Sequence, residues 1–155
     1  MPDPVAALSK VLANLETALD GAAGLIETDR ADDNPFENAE LATGAINILQ
    51  RRTQFEQHSQ NEVLHRAQID LDMIVAVEAA STNGARLREM EADIVAALWA
   101  DRTLGGLAQD IDVDSSGGGE DVLCDEGSRP LSITILFLTP LGDHRTIIGA
   151  AGLVP

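Results

Sequence analysis

Residues Leu64–Ala79, LHRAQIDLDMIVAVEA, decide the reading of the fold. Ile69, Leu71, Met73, Val75 and Val77 occupy every second position, with Asp70 and Asp72 between them. A period of two puts the apolar set on one side of an extended chain and the carboxylates on the other. The stretch predicts a long strand with one face in a core and one in water. Ser81–Gly84 breaks the alternation, and Thr82 stands where the N-cap of a following helix belongs.

Upstream, GAINILQRRTQF (Gly44–Phe55) reads as a second strand, in which Ile46 and Ile48 alternate with Asn47. Gln57–Asn61, QHSQN, is the turn between the two, the tip of a long hairpin. Gly24–Asp29 forms a short strand, and Ala31–Asn38 is a polar loop around Pro35. At the N-terminus Val5, Leu8, Leu12, Leu15 and Leu19 recur at helical spacing. Asp3 suits the N-cap and Pro4 the first turn, while Gly21 and Gly24 end the helix.

Downstream, Leu87, Met90, Ile94 and Leu98, widened by Val95, make the apolar stripe of a second helix that runs to about Ala100. Arg86, Arg88, Glu89 and Glu91 face water. Leu107–Val113 gives a short strand, Ser115–Gly119 a flexible loop tip, and Leu131–Leu138 a last sheet strand with Ile133, Ile135 and Phe137 inward. Thr146–Pro155 is a small, apolar, extended tail. Two one-sided helices and several alternating strands predict a single α+β domain over residues 1–155. Its mixed, mostly antiparallel sheet carries both helices on one face.

Composition narrows the function classes. Twenty-six acids against ten bases give a formal net charge of −16, which repels phosphate backbones and anionic membranes alike. Cys124 is the only cysteine, so neither an internal disulfide nor a cysteine zinc site is available. There is no secretory pattern at the N-terminus and no apolar run long enough to span a bilayer, so the reading is a soluble chain made in a cytoplasm.

Catalytic constellations are absent from the pattern: there is no P-loop, dinucleotide fingerprint or nucleophile elbow. His58, His65 and His144 are scattered, and the Glu62/His65 spacing is a single carboxylate–histidine pair within a strand pattern. The chain reads as a non-enzyme with no cofactor. The nearest approach to chemistry is DIDVDSSGGGED, Asp110–Asp121. Asp110, Asp112 and Asp114 imitate the first ligands of a calcium loop, but Ser115 stands at the sixth position and Asp121 at the twelfth, where Gly and Glu belong. With Glu120 and Asp121 these acids form an acidic strand edge and loop, either a solvated, aggregation-resistant face or the lining of a passage. Arg51 and Arg52 are the opposite patch, next to Gln54 and Phe55 near the hairpin tip, and read either as a basic spot for a neighbouring copy's acids or as charges that protect an edge strand.

DIVAALWADRTLGG (Asp93–Gly106) followed by LAQDIDVD resembles the tail terminator and related minor tail proteins of long-tailed bacteriophages, in which a helix ends in an acid-x-Thr-Leu-Gly-Gly phrase. LSITILFL, VAALSKVLANL, GAINILQRRTQF and RAQIDLDMIVAV fall in the matching order, while Glu27–Ala42 and the tail past Leu141 lie outside the likeness. The resemblance implies a homo-hexameric ring on the last ring of the tail tube protein, which stops tube growth and offers a joining surface to the head–tail connector protein. Viral DNA passes through its centre without specific binding. It places the protein at the neck of the virion, assembled in the host cytoplasm without a membrane, with Mg or Ca easing repulsion between copies. On this reading Arg51, Arg52, Gln54 and Phe55 belong to the interface, and Asp110, Asp112, Asp114, Glu120 and Asp121 to the lumen or acidic loop. The alternatives are a head-completion or connector protein at the neck, and an acidic divalent-metal-binding module.

Overall fold

The computed structural model describes residues 6–29, 41, 43–76, 80–114 and 128–155. In chain order the elements are α1 (Ala7–Ala18), β1 (Leu25–Thr28), β2 (Ala45–Gln57), β3 (Glu62–Ile74), α2 (Ala80–Ala100), β4 (Asp110–Asp114), β5 (Ser128–Pro140), β6 (Ile147–Gly149) and β7 (Gly152–Val154). The first five strands make one sheet in the order β1-β2-β3-β5-β4. Only the β1–β2 pair is parallel, so the fold is α+β with a mixed, mostly antiparallel sheet.

β3 runs through the middle, paired with β2 on one side and β5 on the other for nearly its full length. Val63, His65, Ala67, Ile69, Leu71 and Met73 are buried, while the residues between them are half-buried or exposed. Period-two burial of this kind needs a single covering layer. Val11, Leu12 and Leu15 of α1 and Leu87, Met90, Ile94 and Leu98 of α2 supply it, joined to Ile69, Leu71 and Met73 in one core. Among the described residues Phe137 is the one Phe or Trp side chain fully inside, so the packing is aliphatic.

β2 departs from simple alternation. The ladder pairs Gln50 with Ile69 but Arg52 with Gln68, leaving Arg51 as an extra residue. This is a β-bulge, and it reverses the faces from there on. Ile46, Ile48 and Gln50 lie on the core side before it; Thr53 and Phe55 lie there after it, opposite Ala67 and His65. Arg51, Arg52 and Gln54 consequently share the outer face.

Several boundaries differ from the sequence expectations. The N-cap of α1 is Ala6, without a side-chain cap bond, so Asp3 does not fill that role; Asp3 lies outside the described residues. α1 ends at Ala18, ahead of Gly21 and Gly24. α2 begins at Ala80, which places Thr82 inside the helix and not at its cap. β3 stops at Ile74, although Val75 is still buried; Val77 lies outside the described residues. Glu91 is half-buried and forms an ion pair of 3.1 Å with Arg129 on β5, so it does not simply face water. Leu107 and Ala108 are buried in the turn that precedes β4, and the strand starts only at Asp110. The extended tail is a hairpin, β6–β7, with Ile147 fully buried. The loop Ala31–Asn38 and the tip Ser115–Gly119 lie outside the described residues.

Leu71 is fully buried at the centre of the sheet, between Ile48 and Leu131. Leu71→Ala is expected to cost about 2–5 kcal/mol of stability, read as a lower urea midpoint at an unchanged slope.

Candidate functional site

One end of the sheet carries most of the unusual surface. β1 covers β2 only from Ala45 to Ile48, and β4 covers β5 only from Ser132 to Leu136. Beyond both limits the sheet is three strands wide, made of Phe55–Gln57 of β2, Glu62–His65 of β3 and Phe137–Pro140 of β5. Gln57–Glu62 closes its tip, where the Leu141 N–H donates to the Asn61 carbonyl at 2.8 Å. Phe55 is 64% exposed and Leu141 54% exposed, an apolar display that needs a reason on so acidic a chain.

Phe55 belongs to a ring cluster on the core side of this end. His65 stacks on Phe137 at 4.6 Å between centroids and meets His144 edge-on at 4.6 Å. Phe55 lies 5.0 Å from His144 and 5.7 Å from His65. His65 Nε2 shares a hydrogen bond of 2.8 Å with the buried Thr139 hydroxyl. Burial, with a smaller contribution from His144, pushes the His65 pKa down from 6.5 to about 4. The imidazole is therefore neutral at pH 7 and acts as a packed aromatic. Ala6, Ala7, Leu8, Gln50 and Thr53 complete a shallow depression of about 270 Å³ over these rings. The His144 carbonyl accepts from the Ala7 N–H at 2.9 Å, which ties the start of α1 to the cluster.

On the outer face, Arg51 donates to Asp70 at 2.8 Å, and the same carboxylate accepts from Ser132 at 2.8 Å. Arg66 pairs with Glu56 at 3.2 Å. The expected interface set thus divides: Arg51, Arg52 and Gln54 are outside, and Phe55 is on the helix side. The bulge at Arg51 is the cause. A groove of about 580 Å³ along this part of β2 is lined by residues of both sets, including Gln54, Phe55 and Arg66.

The acidic set also divides. Ile111 is buried against the core, so Asp110 and Asp112 project from the outer face of β4. Asp110 receives both Arg102 Nε at 2.6 Å and an Arg102 terminal nitrogen at 2.9 Å, and Arg102 lies 3.9 Å over the Trp99 ring. The first residue of the calcium-loop imitation is therefore already an ion-pair partner. Asp112 is exposed, Asp114 ends the strand, and Glu120 and Asp121 lie outside the described residues. Among the described residues no three His, Cys, Asp or Glu side chains converge as a metal site.

The Asp101–Gly106 phrase forms a tight turn whose role the sequence did not reveal. Asp101 accepts from the Thr103 N–H at 3.2 Å, the Thr103 hydroxyl at 2.9 Å and the Gly105 N–H at 2.7 Å. These donors, Gly105 and the Thr103 hydroxyl first, hold the Asp101 pKa below its ordinary 3.8. Leu104, Gly105 and Gly106 all have positive φ, of 50°, 73° and 88°, which explains two consecutive glycines. Asn14 of α1 donates to the Leu104 carbonyl at 2.8 Å, and Ala150 of the C-terminal hairpin donates to the Gly106 carbonyl at 2.9 Å. The phrase is a junction between α1, α2 and the tail, distant in sequence but bonded in space.

Two measurements test these assignments. In the unfolded chain His65 titrates near 6.5, above its folded value, so its contribution is complete above pH 6.5 and is lost as pH falls toward 4. Wild type is expected to lose stability across that window in urea titrations, and His65→Phe, which keeps the ring but has no proton to gain, to lose less. Asp101→Ala removes a three-donor acceptor whose charge is screened by solvent; a loss of about 1–2 kcal/mol at pH 7 is expected, shrinking once pH falls below 3.8 and gone only below the lower folded pKa, where the wild-type carboxyl is neutral too. Comparison of the chain with family models and with curated proteins finds no match.

Proposed function

We propose that this chain is a virion structural protein of a long-tailed bacteriophage. Six copies close into a ring on the end of the tail tube, stop its growth, and present the surface that the head–tail connector meets. The protein works by contact with other proteins and carries out no catalysis. Its own copies, the tube protein and the connector are the partners, and DNA passes through the ring without being bound.

The observation that carries this reading is the three-stranded end of the sheet. Its strands run past both flanking strands, exposing Phe55 on the helix side and Leu141 past the end of β5, with Arg51 and Arg52 nearby along β2 on the outer face. Exposed apolar and basic groups at one end of a sheet suit a protein partner better than a small ligand. The Asp101–Gly106 junction supports the reading from the other direction, because the phrase that carries the likeness to tail terminators is also the knot that joins α1, α2 and the tail. The divalent-module alternative loses its first ligand to Arg102.

Charge sets the conditions for assembly. Copies that each carry −16 repel one another, and repulsion between exposed charges is screened over roughly 8–10 Å at 0.1–0.15 M salt. Sedimentation velocity across protein concentration, at low salt, at 0.15 M salt and with magnesium, is expected to show a monomer moving to a hexamer as screening rises. Electron micrographs of the heavy species are expected to show rings that cap tail tubes. A monomer under every condition, tail tubes included, overturns the reading.

A further inference from the structure

The two edges of the sheet match each other in level, direction, face and charge. Asp112 of β4 pairs with Thr134 of β5, Thr134 with Gln68 of β3, and Gln68 with Arg52 of β2. Arg52 and Asp112 therefore stand at the same height on opposite edges. Both project from the outer face, since the core-side neighbours along these ladders are Ile111, Ile135 and Ala67. β2 runs antiparallel to β3, β3 to β5, and β5 to β4, so the two edge strands run in opposite directions. Among the described residues no strand pairs with the outer edge of β2 past Ile48 or with the outer edge of β4, and the one bond seen there is from the Gln50 N–H to the Asp29 carboxylate at 3.5 Å, which an incoming strand replaces.

We propose that these edges join two copies of this chain: β4 of one adds to the open stretch of β2 in the next, placing Asp112 across from Arg52. The inference rests on the ring reading above and names the contact that builds it. Copies related by rotation about an axis along the strands keep strand direction, so the new ladder is antiparallel, the pairing with perpendicular hydrogen bonds. The outer faces become continuous, and a basic and an acidic side chain become cross-strand neighbours. The opposite arrangements, β2 on β2 or β4 on β4, bring like charges together, which selects the head-to-tail contact. A head-to-tail contact repeats until it closes, as a ring requires. The β2 bulge has a purpose in this arrangement, because it keeps Arg51 and Arg52 together on the face where the acid arrives.

The occupant is a second copy because the complementary strand is present on this chain. β4 has five residues, and the stretch of β2 at its level, Leu49–Gln54, has six, the extra one being Arg51 at the bulge.

The test is a charge exchange in the full chain. Arg52→Glu and Asp112→Arg are each expected to raise the concentration needed for association roughly tenfold or more, since like charges then face each other. Mixed in equal amounts, the two variants are expected to associate as wild type does, because every contact in an alternating ring again joins opposite charges. A Cys124→Ser chain carrying Arg52→Cys and Asp112→Cys is expected to form disulfide-linked multimers on mild oxidation, whatever the charge variants do to folding. Variants that assemble like wild type, a mixture of natively folded variants that does not recover, or cysteine chains that never cross-link while wild type makes rings, each overturns the edge contact alone. A wild type that stays monomeric throughout overturns the ring reading and this contact with it.

Discussion

The double pairing of β3 is the constraint from which the other elements take their places. A strand paired on both sides along twelve of its thirteen residues has no freedom of register, because a slip of one residue would carry Ile69, Leu71 and Met73 into water and the two aspartates into the core. With that strand pinned, the hairpin partner β2 and the returning strand β5 are pinned as well. Both helices then have only one apolar surface on which to bury their stripes. The buried set is aliphatic almost throughout, so shape complementarity among Leu, Ile and Val side chains holds the two layers together.

Against this rigid frame, the bulge in β2 is the feature that distributes chemistry. One extra residue at Arg51 reverses the sides of everything that follows. Without it Phe55 would lie outside with Arg51, and Arg52 and Gln54 would point toward the core side. With it, the guanidinium groups stay on the polar face and the phenyl ring joins His65, His144 and Phe137. A basic outer face and an aromatic inner one come from the same local irregularity, and the proposed contact between copies uses the first of them.

Charge enters at two scales. Locally, carboxylates are tied down: Asp70 by Arg51 and Ser132, Asp110 by Arg102, and Asp101 by its own turn. Globally, the excess of acid opposes association, so any assembly of this chain relies on a few well-placed opposite charges and on ions in solution.

Much of the architecture was legible in residue order. The alternation in β3, the helical spacing of Val11, Leu12, Leu15, Leu87, Met90, Ile94 and Leu98, and the turn residues between them specify elements and faces through local periodicity, which depends only on backbone geometry. Helix starts were less legible, because α1 has no side-chain cap for a pattern to detect. The bulge was hidden too: GAINILQRRTQF reads as an unbroken strand, and only the register with β3 shows that Arg51 is the extra residue of the ladder. Asp101–Gly106 could be seen as a helix exit, but not as the meeting point of Asn14 and Ala150, since those bonds join residues far apart in the chain. Nor could the sequence place Arg52 and Asp112 at one height, because that alignment is the sum of three ladders. Amino-acid order by itself determined which segments are helix or strand and which side of each is apolar, while register, the reversal in β2 and every juxtaposition of distant groups were decided by packing, where nonlocal contacts select one arrangement among those the local pattern allows.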